Sequence, residues 1–113
     1  MYSPKLFPTL LSPPAGFEQA GLLIEPLSVN HVVIDFEAVY ASRQKLYRKY
    51  KNPARWPLNI NLHDNLVDLG WHEKEFRDGA SFAYTVINPD RKICYGCIYI
   101  IPNTQGPTLS FWL

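Results

Sequence analysis

From residue 22 onward the spacing of apolar positions changes three times, and each change predicts a new element. Leu22, Leu23 and Ile24 form a short apolar run stopped by Pro26, better suited in length and branching to a strand than to a helix. Between residues 30 and 50 the interval lengthens: Val32, Val33, Phe36, Val39, Tyr40, Leu46 and Tyr47 recur three or four positions apart. Ser28 or Asn30 is placed to cap this segment, and Asp35 and Glu37 lie in its early turns. The spacing predicts one helix of about five turns. Its second half carries Arg43, Lys45, Arg48 and Lys49, the charge sign that the dipole prefers at a helix C-terminus.

Pro53, Trp56 and Pro57 end that pattern, because the residue before a proline is pushed out of the helical region. Asn61 then stands three residues before Asp64 as a cap, and Leu62, Leu66, Leu69 and Phe76 mark one face of a second helix ending at Gly79. From Ser81 the period falls to two. Residues 81–87 and 92–101 read as strands joined by the turn Asn88-Pro89-Asp90-Arg91, hence as an antiparallel hairpin. Residues 103–107 form another turn region, and 108–113 a last strand. The expected fold is α+β, in the order strand, helix, helix, strand, strand, strand, with a mostly antiparallel four-stranded sheet.

Strand 92–101 predicts more than its own existence. Ile93, Tyr95, Cys97, Tyr99 and Ile101 fall on one face and Cys94, Gly96, Ile98 and Ile100 on the other, so both faces are apolar and both should be covered. Two helices cover one side of a four-stranded sheet. The other side, and the free edge carrying Leu109, Phe111, Trp112 and Leu113, predict a homo-oligomer or a missing C-terminal half that completes the fold.

Composition sets the frame for these elements. The chain has 113 residues, 47% of them hydrophobic and 19% charged, which suits one globular domain and excludes disorder as the default. Such a chain buries roughly two-thirds of its unfolded surface, enough for one modest core. Four of the ten prolines fall in the first fourteen residues, so residues 1–20 read as a proline-rich arm, with Leu6, Phe7, Leu10, Leu11 and Phe17 as apolar anchors, and residues 21–113 as the domain. No apolar run is long enough to span a bilayer, and Met1-Tyr2-Ser3-Pro4-Lys5 lacks the order of a secretory signal, which predicts a soluble, cytoplasmic protein. A net charge of +1 supplies no global field for nucleic acid or an anionic membrane, so neither is expected as a partner.

Candidate chemistry is sparse. Cys94-Tyr95-Gly96-Cys97 has the C-x-x-C spacing of redox and zinc sites, but three residues apart on a regular strand the thiols point to opposite faces and cannot easily meet. There is no second cysteine pair, so no metal site is expected, and two buried, reduced thiols are the reading. His31 and His63 fall near helix starts, whereas His72, with Glu73 and Glu75, could reach a cleft if that face lines one. Arg43, Lys45, Arg48, Lys49, Lys51 and Arg55 cluster without an acid among them. A solvated helix end, offset by the acidic second helix, accounts for this run better than nucleic acid does.

Several strings together resemble the GCN5-related N-acetyltransferase (GNAT) superfamily, and most closely a bacterial subgroup. They are Pro26-Leu27, Asp35-Phe36-Glu37-Ala38-Val39, Ala41-Ser42-Arg43, Trp56-Pro57, Asn65-Leu66-Val67-Asp68-Leu69 and His72-Glu73-Lys74-Glu75-Phe76. The series continues through Phe82-Ala83-Tyr84-Thr85-Val86, Gly96-Cys97-Ile98-Tyr99-Ile100, Pro102 and Phe111-Trp112-Leu113, so the likeness covers most of residues 17–113. It implies the N-terminal half of the acyl-CoA N-acyltransferase fold and transfer of an acetyl group from acetyl-CoA to an amine. Ser110, Phe111, Trp112 and Leu113 match the region that contacts the pantetheine arm, and the first two helices match the part that shapes the acceptor site. The glycine-containing loop and helix N-terminus that hold the pyrophosphate in such enzymes have no counterpart before residue 113, so no catalytic residue is assigned and weak or absent transfer by this chain is expected. The alternative is a non-catalytic, self-associating or protein-binding module that uses the sheet edge and apolar face.

Overall fold

A computed structural model describes residues 16–102 and 106–113. The arm's anchors Leu6, Phe7, Leu10 and Leu11 lie outside the described residues. Five strands form one antiparallel sheet in sequence order: β1 (Phe17–Gln19), β2 (Leu22–Pro26), β3 (Phe82–Ile87), β4 (Cys94–Ile101) and β5 (Thr108–Trp112). The expected count of four strands is corrected by β1, which falls inside the stretch read as arm. Ala20 and Gly21 both take positive φ (56° and 77°) and join Gln19 to its partner Leu22, the two-residue turn whose twist suits a hairpin. Ala-Gly is a weak signal for such a turn, and a three-residue strand next to a proline-rich segment leaves no period to read.

The single helix expected over residues 30–50 is two, α1 (Val32–Ala41) and α2 (Arg43–Tyr50), broken at Ser42, whose ψ of 14° leaves the helical well. The Ser42 N–H is shared between the carbonyls of Ala38 and Val39, and the Arg43 guanidinium takes the Tyr40 carbonyl at 2.8 Å. The change of direction lets Val39 and Leu46 both enter the core although they do not lie on one straight stripe. Ser28 is the cap at the start of this region, as expected, and Lys51 closes it in a left-handed conformation (φ 50°).

The second expected helix is α3 (Leu62–Asp78). Asn61 Oδ1 accepts from the Asp64 N–H at 2.8 Å, and Gly79 ends the helix at φ 74° while Ala80 N–H returns to the Glu75 carbonyl. Its inward face differs from the expected one. Leu62 and Leu66 are exposed, and the side chains turned inward are Asn65, Asp68, Leu69, His72 and Phe76. The Phe76 ring meets Phe82 and Tyr84 edge-on at the start of β3.

The helices deliver Val39, Leu46 and Leu69 to a core completed by Leu27, Ala83, Ile87, Cys94, Cys97 and Trp112. The strand buried along its whole length is β3, the middle of the sheet, and not β4, whose Tyr95 and Ile101 are exposed. The pairing of β3 with β4 shifts at one point: Val86 faces Gly96, but Ile87 faces Cys94, and Tyr95 has no partner. This bulge turns Cys94 to the same face as Cys97, which corrects the opposed faces expected from a regular strand. Gly96 itself lies under the end of β5, where an added Cβ would stand 1.9 Å from the Trp112 carbonyl oxygen. Gly96→Ala therefore requires the strands to move apart. It should lower the free energy of unfolding by about 1–3 kcal/mol in denaturant titration, and an unchanged midpoint would show that β5 does not lie over this residue.

Candidate functional site

The inward face of α3 is polar where a helix over a sheet is usually apolar. Asp68, His72 and Glu75 follow one another at four- and three-residue intervals, so they share a face, and they line a cavity of about 430 Å³ between α3 and the sheet. Tyr99 of β4, Tyr50 of α2 and Trp56 of the connecting loop supply much of the rest of the wall. His72 Nε2 lies 3.5 Å from Asp68 Oδ2, and its ring stacks on Tyr99 with centroids 5.4 Å apart. The Tyr99 hydroxyl accepts from Trp112 Nε1 at 2.9 Å, which fixes the ring that supports the imidazole. Glu75 Oε2 accepts from Ser81 Oγ at 2.6 Å.

Burial pushes the His72 imidazole toward neutrality, but the hydrogen bond and charge of Asp68, with Glu75 and Asp35 behind it, outweigh this and raise its pKa above the ordinary 6.5. The Tyr99 hydroxyl is pushed well above its usual range, chiefly by burial, and stays protonated. Trp56 Nε1 is buried and has no hydrogen-bond partner among the described residues. The cavity thus offers two carboxylates and an imidazole to a cationic or amine group.

The other residues singled out by sequence are distributed more widely. Glu73, expected beside His72, does not line the cavity and accepts the Val29 N–H at 3.0 Å, while His63 is exposed. His31 is a buried cap. Its Nδ1 accepts the Ser28 N–H at 3.0 Å, which leaves the ring proton on Nε2 to be donated to Glu25 at 2.8 Å. Arg91 also binds Glu25, through two 3.2 Å contacts. Burial opposes ionisation of Glu25, but the hydrogen bonds from Arg91 and His31 hold its carboxyl below the usual range.

Ser110, Phe111, Trp112 and Leu113 occupy β5 and the residue after it. Ser110 Oγ shares a 2.9 Å hydrogen bond with the Tyr50 hydroxyl, Trp112 is buried, and Phe111 and Leu113 are exposed. Lys49 and Lys45 donate to the Phe111 and Leu113 carbonyls, so part of the basic run is directed at β5. Among the described residues none of its six cations forms an ion pair with α3, contrary to the facing charge sets expected.

Cys94 and Cys97 are both reduced and buried, as expected, but they meet. Their sulfurs and a carboxylate oxygen of Asp35 lie within 4.8 Å of one another, and none of the three lines the cavity. Burial raises the Asp35 pKa despite hydrogen bonds from Asn65 and Cys97.

Sequence reasoning reached His72 and Glu75 but missed Asp68, Tyr99, Tyr50 and Trp56. The available signal was polar: Asn65, Asp68, His72 and Glu75 recur with helical spacing around Leu69. No helix among the described residues is long and apolar enough to cross a membrane. No family model, no curated protein and no solved structure matches this chain.

The raised His72 pKa predicts an imidazole that titrates above its value in the unfolded chain, visible in its ring-proton chemical shifts. Asp68→Asn should move that midpoint down. Because the folded value is the higher one, the stabilisation from this contact is complete below pH 6.5 and declines as pH rises through the folded midpoint. A His72 midpoint at or below that of the unfolded chain would contradict the assignment.

Proposed function

We propose that this domain is the acceptor-side part of a GNAT-like N-acyltransferase, in which an amine occupies the cavity beneath α3 and acetyl-CoA supplies the acyl group. The observation that carries the reading is the inward stripe Asp68, His72 and Glu75 in one cavity with Tyr99. The carboxylates attract a protonated amine, and neutral His72 takes a proton so that the free amine can attack a thioester carbonyl. As the C–N bond forms, the C–S bond breaks and the thiolate leaves. Two further points support it: the helices α1 to α3 lie between β2 and the three-stranded meander β3–β4–β5, as the resemblance implies for its helical part, and β5 lies beside Tyr50 at the cavity wall. On this reading Phe111 and Leu113 offer exposed apolar side chains to the pantetheine arm, while their carbonyls are engaged by Lys49 and Lys45.

One observation favours a second reading. Leu109, Phe111 and Leu113, at the β5 edge, are 64%, 50% and 61% exposed, the arrangement expected where a second copy pairs or packs.

The two readings separate in a calorimetric titration of the chain with acetyl-CoA, followed by an acetylation assay on a panel of primary amines. The first predicts saturable acetyl-CoA binding, with any transfer reduced about 100-fold or more by His72→Ala. No binding at millimolar acetyl-CoA, together with a dimer in sedimentation that Phe111→Lys dissociates, would establish the second reading instead.

A further inference from the structure

Asp35 is 3% exposed and carries a carboxylate into the core between α1 and β4. A buried carboxylate needs a compensating charge or a proton, and among the described residues neither Lys nor Arg pairs with it. Its two oxygens are held differently: Oδ2 accepts from Asn65 Nδ2 at 2.9 Å, and Oδ1 faces Cys97 Sγ at 3.5 Å. Cys94 reaches the same spot because of the bulge at Tyr95, and Thr85 Oγ1 lies 3.5 Å from its sulfur. The side-chain oxygen of Asn65, on the amide that holds Asp35, is fully buried and has no hydrogen-bond donor among the described residues.

We infer that Asp35, Cys94 and Cys97 form a three-ligand zinc site with its fourth position open to water, and with Asn65 as the outer residue that orients the carboxylate. Metal–sulfur bonds of about 2.3 Å and metal–oxygen bonds of about 2.0–2.2 Å place ligand atoms roughly 3.5–3.8 Å apart across a tetrahedral ion. The Cys97–Asp35 separation already equals such an edge, and the 4.8 Å limit on the whole set leaves small side-chain rotations to close the others. Two thiolates select a soft or borderline ion over calcium or magnesium, which take oxygen ligands at higher coordination number, and an iron–sulfur cluster would need more cysteines. The Oδ1 contact supplies the ligand atom, and the Oδ2 contact is the second hydrogen bond typical of a metal-bound carboxylate. A metal-bound water in the fourth position would give Asn65 Oδ1 the donor it lacks. The ion would bind α1 to the bulge of β4. None of the three ligands lines the cavity under α3, so this site does not depend on the function proposed for it.

The test is titration of the reduced 113-residue chain with Co²⁺ alone. One equivalent should produce a thiolate-to-cobalt charge-transfer band with the d–d bands of a tetrahedral ion, and Zn²⁺ should abolish both. Zinc at about 100 times its dissociation constant should raise the thermal midpoint by about 10 °C. Cys97→Ser and Asp35→Asn, checked for native circular dichroism, should each weaken cobalt binding at least about 100-fold. If either variant does not fold, alkylation of the wild-type thiols decides: zinc should slow labelling of both at least about tenfold relative to chelator-treated protein. The inference is overturned by a folded, reduced chain that shows no charge-transfer band, by variants that bind cobalt as the wild type does, or by labelling rates indifferent to zinc. A Cys94–Cys97 disulfide in the freshly isolated chain overturns it as well.

Discussion

Tyr95 has no partner on β3, and the inner face of the sheet is arranged around that unpaired residue. Without the bulge, Cys94 would turn to the face of Gly96 and Ile98, and its place in the core beneath α1 would fall to a tyrosine. With it, two small polarisable side chains sit side by side where Asp35 comes down from α1, and the helix can approach closely because neither is bulky. Gly96 follows directly. A strand that bends at this point brings β5 across its backbone, and only a residue without a Cβ leaves space for the Trp112 carbonyl. Trp112 then reaches the core and gives its N–H to Tyr99, which lies under His72. The bulge and the cavity are therefore joined by one short series of contacts.

The second organising feature is the division of α3 along its length. Its inward stripe begins with Asn65 under Asp35, passes through Leu69 in the core, opens at Asp68, His72 and Glu75 onto the cavity, and closes at Phe76 on β3. Apolar contacts at Leu69 and Phe76 hold the helix down on either side of His72. The cost of placing acids and an imidazole between them is met by their own interactions: Asp68 with His72, and Glu75 with Ser81.

The α+β class, the helical region followed by a three-stranded meander, the cap at Asn61, the stop at Gly79 and the hairpin turn at Asn88 were legible in the sequence because each rests on local chemistry. Asn88 illustrates it, since one side-chain oxygen receives the N–H groups of both Lys92 and Ile93. What was not legible depended on tertiary geometry. The break at Ser42 serves the placement of Leu46, the bulge at Tyr95 depends on pairing with β3, and the inward stripe of α3 is polar, so a search for apolar periodicity selected Leu62 and Leu66 on the wrong face. The meeting of Cys94 and Cys97 was missed for the same reason, since alternation along a strand holds only while every residue has a partner. The cavity was half visible: His72 and Glu75 stood out as ionisable groups on one helix, but their partner Tyr99 is distant in sequence and resembles an ordinary core aromatic.

The basic half of α2 ends in contacts of an uncommon kind. Lys45 and Lys49 reach β5 and the residue after it through main-chain oxygens of Leu113 and Phe111, with the Lys49 amine also over the Phe111 ring. The Phe111 peptide carbonyl has no proton to gain in the acid range, so the Lys49 contact persists at pH values where carboxylate-based contacts such as Glu25 with Arg91 are lost. Acylation of Lys49, which removes its charge, would weaken this connection between helix and edge strand.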